Sequence, residues 1–478
     1  LLKNKVDEYG NLKLIISCRE EYRKDIFTDN ISNDYFLLRH YGFLDNSIDA
    51  LYKFCEYYKI EPPATPLLTP ELSNPLILKT LCESFQRIGK FPTGISGVSN
   101  IFQAYLLYLN SEISQKLDLD PDDNKVCDII DRISLLLYEN NGDIHIDKKQ
   151  IKVAIQDLDN NTVWSKTILY NLEKEGLIVI NKDYTYISYD RYRDFLTAKA
   201  LVTDINEAKL SDTKKILREK IDIFCKSSYA CHGLIDFLSI AIPEKWGFEL
   251  IELYANEQHY EWFLDLLLSS FYRSVVQRDI SSISEKTLIA FENLKKYCNT
   301  KENYYWQTII SAALIENHPL NANYLHEKLK DLSMSDIDAD WTQFISQNYV
   351  NYYDREYSNA NNFFSIKHII MPFLKLNNIT LNDNVIELIT TLLIWFTTST
   401  NKELRDLATI TSVNLLRNKE DIAIKLLNKF KDVKDIYLLE RLYSIMYGVV
   451  LFSKNPIFVD KLADIVYENI FNVTPVYP

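Results

Sequence analysis

The sequence predicts a mainly α-helical protein, and three observations carry that expectation. Glycine is scarce, 10 in 478 residues, while tyrosine contributes 32 and phenylalanine 23; few tight turns are available and many large side chains need burial. Apolar residues recur at helical spacing over most of the chain, and from about residue 205 onward every segment reads that way. β-type runs are confined to residues 11–17 and to the stretch 143–189.

A chain of this length with 47% apolar content can bury several cores, and domain sizes of roughly 100 to 200 residues divide it into two to four units. The formal net charge of −13 argues against a broad nucleic-acid surface, which needs clustered lysine and arginine to displace phosphate counterions. Seven cysteines, from Cys18 to Cys298, include no CxxC pair, so reduced, buried thiols in a cytoplasmic protein are expected. No run approaches the roughly 18 to 20 apolar residues that cross a bilayer, and the start carries no cationic region followed by an apolar one, so no membrane partner is expected.

The elements follow in order. "NLKLIISCRE", residues 11–20, is apolar without alternation, the pattern of a strand buried on both faces of a parallel sheet. It ends on Arg19, at the carboxyl end where such sheets hold ligands. With so little chain before it and helices after it, the segment reads as the back of a larger α/β domain. "SIDALYKFCEYY", 47–58, puts Ile48, Leu51, Phe54 and Cys55 on one helical stripe. Prolines at 62, 63, 66, 70 and 75 lead into the next helix, where Pro75 suits the first turn and Asn74 the cap. A glycine-bearing connector then opens a helix over 101–116. Between residues 122 and 200 the order is helix, strand, helix, helix and a hairpin of "LIVIN" and "YTYISY", the order of a winged helix. Over residues 162–176, Lys166 and Lys174 are matched by Glu173 and Glu175, and the wing offers Lys182 beside Asp183; direct DNA binding is not expected on that count. The remainder reads as irregular stacked helix pairs, a solenoid suited to partner recognition.

Catalytic and metal motifs are missing. "RIGKFPTG" has the wrong frame for a phosphate-cradling GxxxxGK[ST], and neither HExxH, GxSxG nor a zinc spacing occurs. Cys225 and His232, at i and i+7, read as one helix face better suited to core packing than to metal. Trp306 and Trp341 read as core residues, and Arg405 with Asp406 as a helix-surface charge pair.

"LIISCRE", "LSNPLILKTLCESF" and "ISYDRYRDFLTAKAL" together resemble the STAND class of P-loop NTPases, the signalling ATPases that include NACHT and NB-ARC proteins. The resemblance implies a polar sensor at the end of a core strand, Arg19, aimed at a nucleotide γ-phosphate. It implies Pro75 near the adenine, and Tyr189 where the class places a histidine near the β-phosphate, a departure from the animal-type pattern. "FPTGISGVSNIFQAYL", "SSFYRS", "MSDIDADWT" and "TSTNKELRDLAT" further resemble the prokaryotic antiviral branch called AVAST.

On that resemblance, residues 1–46 are the C-terminal remnant of the NTPase core, 47–120 a helical lid, 121–203 a winged helix and 204–478 a helical-repeat, TPR-like sensor. The implied function is a nucleotide-dependent antiviral switch. A viral protein of terminase or portal type fills the sensor, subunits form a homo-oligomer, and an effector such as a nuclease is triggered. ATP and Mg2+ would belong to the full-length protein, with no catalytic residue in this chain. Two other readings stay open: a winged-helix and helical-repeat scaffold that never bound nucleotide, and a DNA-binding regulator with a helical sensing domain.

Overall fold

The computed structural model describes residues 42–43, 46–63, 74–86, 89–91, 98–140, 145–181, 183–205, 209–227, 231–255, 261–298, 303–349, 365–374 and 381–472. The expected strand at 11–17 and Arg19 lie outside them. The protein is mainly helical, and the described residues hold one sheet of three short strands.

Helix α1 (Ser47–Tyr58) ends at Lys59, whose left-handed backbone turns its N–H back onto the last carbonyls. Helix α2 (Pro75–Phe85) begins on its proline, and Asn74 Oδ1 accepts the N–H of Ile77 at 3.4 Å, the cap expected from the sequence. Helices α3 (Val98–Lys116) and α4 (Lys125–Glu139) follow; the buried side of α4 is Val126, Ile129, Ile130, Ile133 and Leu137, spaced at three and four residues.

Next come β1 (Ile146–Asp147), α5 (Lys148–Ala154), a 3-10 turn (Trp164–Lys166), α6 (Ile168–Lys174), β2 (Ile178–Asn181) and β3 (Tyr184–Ile187). All pairings are antiparallel in the order β1-β3-β2, with Ile146 opposite Thr185 and Ile178 opposite Ile187. Gly176, at φ 79°, lets the chain leave α6 and enter β2 at once. The helix expected over 162–178 is broken at Thr167, whose hydroxyl accepts the N–H of Tyr170 and so starts α6 there.

Helix α7 (Asp190–Asp204) leads into the all-helical part: α8 (Leu210–Ser227), α9 (Cys231–Trp246), a 3-10 turn (Leu250–Tyr254), α10 (Glu261–Gln277), α11 (Glu285–Leu294), α12 (Tyr304–Ala312) and α13 (Ala322–Leu329). Helix α14 (Met334–Ile337) runs through a π turn (Asp338–Thr342) into α15 (Gln343–Gln347). The series closes with α16 (Ile366–Leu374), α17 (Asp383–Phe396), α18 (Lys402–Leu416), α19 (Glu420–Phe430), α20 (Ile436–Phe452) and α21 (Pro456–Val466). Side chains of Asn303, Asn321, Ser333, Asn382, Asn401, Asp435 and Asn455 each accept a first-turn N–H, a cap worth about 1 kcal/mol.

Two hydrophobic clusters form. The first runs from Ala50 to Leu267 and the second from Phe271 to Leu462. Helix α10 belongs to both: Phe263, Leu266 and Leu267 enter the first, Phe271, Tyr272 and Val275 the second. Trp306 and Trp341 are core residues, as expected, with ring centroids 5.2 Å apart. No described helix is long and apolar enough to cross a membrane.

Candidate functional site

Three stretches that carry the resemblance converge on one place. Phe102, on α3, lies 5.0 Å from the ring of Tyr192 and 5.3 Å from Phe195, both on α7, and 5.8 Å from Phe237 on α9. The edge-on and tilted arrangement suits aromatic quadrupoles. Beside this cluster the Asp236 carboxylate of α9 is the meeting point of three elements. Arg191 of α7 donates to it at 3.1 Å and Arg273 of α10 at 2.7 Å, while the Ser270 hydroxyl, also of α10, donates to the same oxygen as Arg273. Burial alone would raise the Asp236 carboxyl, but the charges of Arg273 and Arg191 outweigh it and hold the group below the usual carboxylate range. Arg191 is further supported by the face of Phe237, 4.8 Å away.

A second contact fixes how closely the helices approach. Gly233 of α9 faces Asp194 of α7 so tightly that an added Cβ would sit 1.7 Å from Oδ2. The Asp194 carboxylate itself accepts from Arg193 Nε and Nη2 at 3.1 and 2.8 Å, and burial pushes it up to about 6 against that pull. At the other end of α7, Lys245 Nζ reaches the carbonyls of Val202 and Ile205 at 2.7 and 3.2 Å, a cation on a helix C-terminus. Helix α7 is thus fastened to α9 at both ends.

Of the residues singled out from the sequence, Arg19 lies outside the described residues. Pro75 opens α2 and Tyr189 precedes α7, and α3 packs against both of these helices. Tyr189 is half-buried against the first core, and its carbonyl accepts the N–H of Arg193 at 3.0 Å. Cys225 and His232 do not share a helix: α8 ends at Ser227 and α9 starts at Cys231. Among the described residues no group of three metal-ligating side chains occurs. Arg405 and Asp406 do not pair with each other either; Arg405 donates to the Ser399 carbonyl at 2.7 Å and Asp406 accepts from Arg441 at 3.3 Å. The sequence reading missed Asp236, Arg273 and Gly233, although a glycine inside the helical run after "CH" signals a close approach.

A cavity of about 460 Å³ is lined by Asn100, Glu244, Asp279, Ser281 and Ser284 among others. Its two carboxylates, with Glu244 Oε1 accepting the Asp279 N–H at 2.9 Å, make it a poor seat for nucleotide phosphates. No family model, curated protein or solved structure matches this chain.

Proposed function

We propose that the chain is the regulatory and sensing part of a nucleotide-dependent antiviral switch of the STAND class. In this reading the elements from α4 to α7, with their β1-β3-β2 sheet, are a winged helix, and the helices from α8 onward are the sensor that binds a viral protein of terminase or portal type. The observation that carries the reading is the half-buried Arg191–Asp236–Arg273 junction. Arg273 and Ser270 sit on α10, the helix shared by both cores, so a partner that shifts the repeat helices acts directly on the helix that follows Tyr189. A ligand moves such an equilibrium only by binding one arrangement more tightly than the other, and a two-arginine clamp on one carboxylate is a contact with discrete made and broken states.

Nucleotide would be held by ATP- and Mg2+-binding residues of the full-length protein, with Arg19, Pro75 and Tyr189 as this chain's contribution; activation would proceed by homo-oligomerisation and engage an effector. The first test is the coding sequence of roughly 200 to 300 residues, one or two domains, ahead of Leu1. A GxxxxGK[ST] followed by a strand ending in paired acids is expected. Its absence returns Arg19 and Pro75 to structural roles and leaves the scaffold reading. ATP hydrolysis by the isolated 478 residues would also overturn the placement.

A further inference from the structure

Helix α20 is apolar on every side. In IYLLERLYSIMYGVVLF the hydrophilic positions, tyrosines aside, are Glu440, Arg441 and Ser444, and a helix of that kind belongs inside a protein. One side is inside, with Leu438, Leu442, Ile445, Met446 and Val449 in the second core. Arg441 turns toward α18, where it donates to Asp406. The remaining side is bare: Ile436, Tyr437, Tyr447 and Leu451 are 65–71% exposed, and Glu440 and Ser444 lie open between them. The preceding helix is finished differently, with Asp421, Lys425 and Asn428 of α19 turned to solvent.

Large apolar side chains grouped on one exposed face mark a contact surface, and their spacing says what fits this one. The exposed positions 437, 440, 444, 447 and 451 repeat at three and four residues, a seam along the helix. The seam reads nearly the same from either end: Ile436 with Tyr437, then Glu440, the small Ser444, Tyr447 and Leu451. A second α20, turned end for end about a twofold axis at Ser444, brings its Leu451 to Ile436 and Tyr437 and its Tyr447 hydroxyl to the Glu440 carboxylate. Each contact then occurs twice, as a twofold interface requires. Serine at the crossing lets the helix axes approach to roughly 8–10 Å, and its hydroxyl already donates to the Glu440 carbonyl at 2.9 Å, so no donor is stranded there. Neither the Glu440 carboxylate nor the Tyr447 hydroxyl has a partner among the described residues.

Charge and area agree with this occupant. With the axis at residue 444, Glu440 of the copy falls level with residue 448, about 12 Å from the first at roughly 1.5 Å per residue, beyond one screening length of about 8 Å. Phe452 and Ile457, just past the seam, are 45% and 76% exposed. Together with the four apolar residues of the seam, at roughly 100 Å² of open surface each, they supply about 600 Å² of the roughly 800 Å² per partner that a standard interface buries. We propose that α20 is a dimer face, on which two copies of this chain pack antiparallel through residues 436–451. The face is separate from the junction at Asp236 and stands whether or not the chain belongs to a nucleotide switch.

Sedimentation equilibrium of the whole chain at about 1 to 100 μM should return a dimer. Tyr447→Glu sets a carboxylate against Glu440 of the copy and weakens association by about tenfold or more. Adding Glu440→Lys restores it to near the native value, because the new ammonium and carboxylate meet only across the axis. Cysteines read the position of the axis. Ser444→Cys, beside its own copy, gives a disulfide-linked dimer under oxidised glutathione, whereas Glu440→Cys does not, since a disulfide needs Cα atoms within about 7 Å. All three positions are exposed, so thermal midpoints stay native. A chain that is monomeric over that range overturns the proposal and leaves the seam to another protein or a lipid surface. So does a dimer that ignores Tyr447→Glu, one that Glu440→Lys fails to restore, or cross-linking through Glu440→Cys that equals that through Ser444→Cys.

Discussion

The two cores are held together by different chemistry. In the first, the contacts that position α7 are charged: Arg191 and Arg273 on Asp236, Arg193 on Asp194, Lys245 on two carbonyls. In the second, neutral groups share this work with ion pairs between helices such as Lys295–Asp340 and Lys429–Glu387. Trp341 Nε1 donates to the Trp395 carbonyl at 3.1 Å, the Tyr272 hydroxyl to that of Phe291 at 2.9 Å, and α17 is buried on nearly every face. Ion pairs break as discrete events, whereas close-packed aromatic layers resist small displacements. In the proposed switch, a helical array that moves as one body and a hinge that opens would call for these two kinds of contact. The comparison can be broken at the seam or sharpened in each half.

The largest effect is expected at the seam. Arg278, fully buried just after α10, makes a two-pronged pair with Glu249 at 2.8 and 2.9 Å, and Thr287 donates to the same glutamate at 2.6 Å. Glu249→Gln leaves a guanidinium buried without its counter-charge, a loss of about 3 to 5 kcal/mol. Because Arg278 follows the helix that serves both cores, both should lose hydrogen-exchange protection together in the variant. Protection lost in one core alone would mean that α10 does not couple them.

Acid should act on the second core. Burial and the nearby charge of Lys429 hold His326 down to about 4, from the usual 6.5, and its ring lies 4.5 Å from Phe430 and 5.9 Å from Trp395. The unfolded chain takes a proton that the folded chain refuses, so this stabilising contribution is complete above pH 6.5 and is lost as pH falls from 6.5 to 4. The loss amounts to about 3 kcal/mol, near 1.4 kcal/mol per pH unit. His318, lowered by burial as well, acts in the same sense. Denaturation midpoints measured across that range should fall, and His326→Leu should flatten the fall; an equal slope in the variant would assign it to other groups.

In the first core, Gly233→Ala places a methyl group on the Asp194 carboxylate and costs about 2 kcal/mol by overpacking. Asp194→Ala removes the two nearest atoms and leaves its Cβ 3.1 Å from the new methyl, so Gly233→Ala should cost much less in that background than in the native chain, a non-additivity that a double-mutant cycle reads directly. Additive losses would show that α7 and α9 are held apart by something else.

What the sequence made legible follows from the range of each interaction. Local rules located α1, α2 with its Asn74 cap and the β2–β3 hairpin, because periodicity, caps and turn chemistry act within a few residues. Trp306 and Trp341 were legible as core because a large ring at helical spacing has few other uses. The junction was not: Arg191, Asp236 and Arg273 are separated by 45 and 37 residues, and in the sequence each is an ordinary charge on an ordinary helix. The same limit misread Arg405 and Asp406, which are adjacent in sequence but turn toward Ser399 and Arg441.

The smallest expected effect tests how much an exposed ion pair contributes in the second core. Asp406 and Arg441 pair at 3.3 Å between α18 and α20, with side chains 42% and 31% exposed, against 14% for Asp236. An ion pair that shares its space with water gains little over solvation, so Asp406→Asn should cost about 0.2 to 1 kcal/mol and less at high salt. Asp236→Asn, which strips a largely enclosed carboxylate from two arginines, should cost several times more in the same assay. If the two variants were equally mild, the arginines at the junction would be satisfied by solvent, and the case for a charged latch at Asp236 would fail. If they were equally severe, the helices of the second core would rely on surface charge after all, and rigidity could not be credited to their aromatic packing.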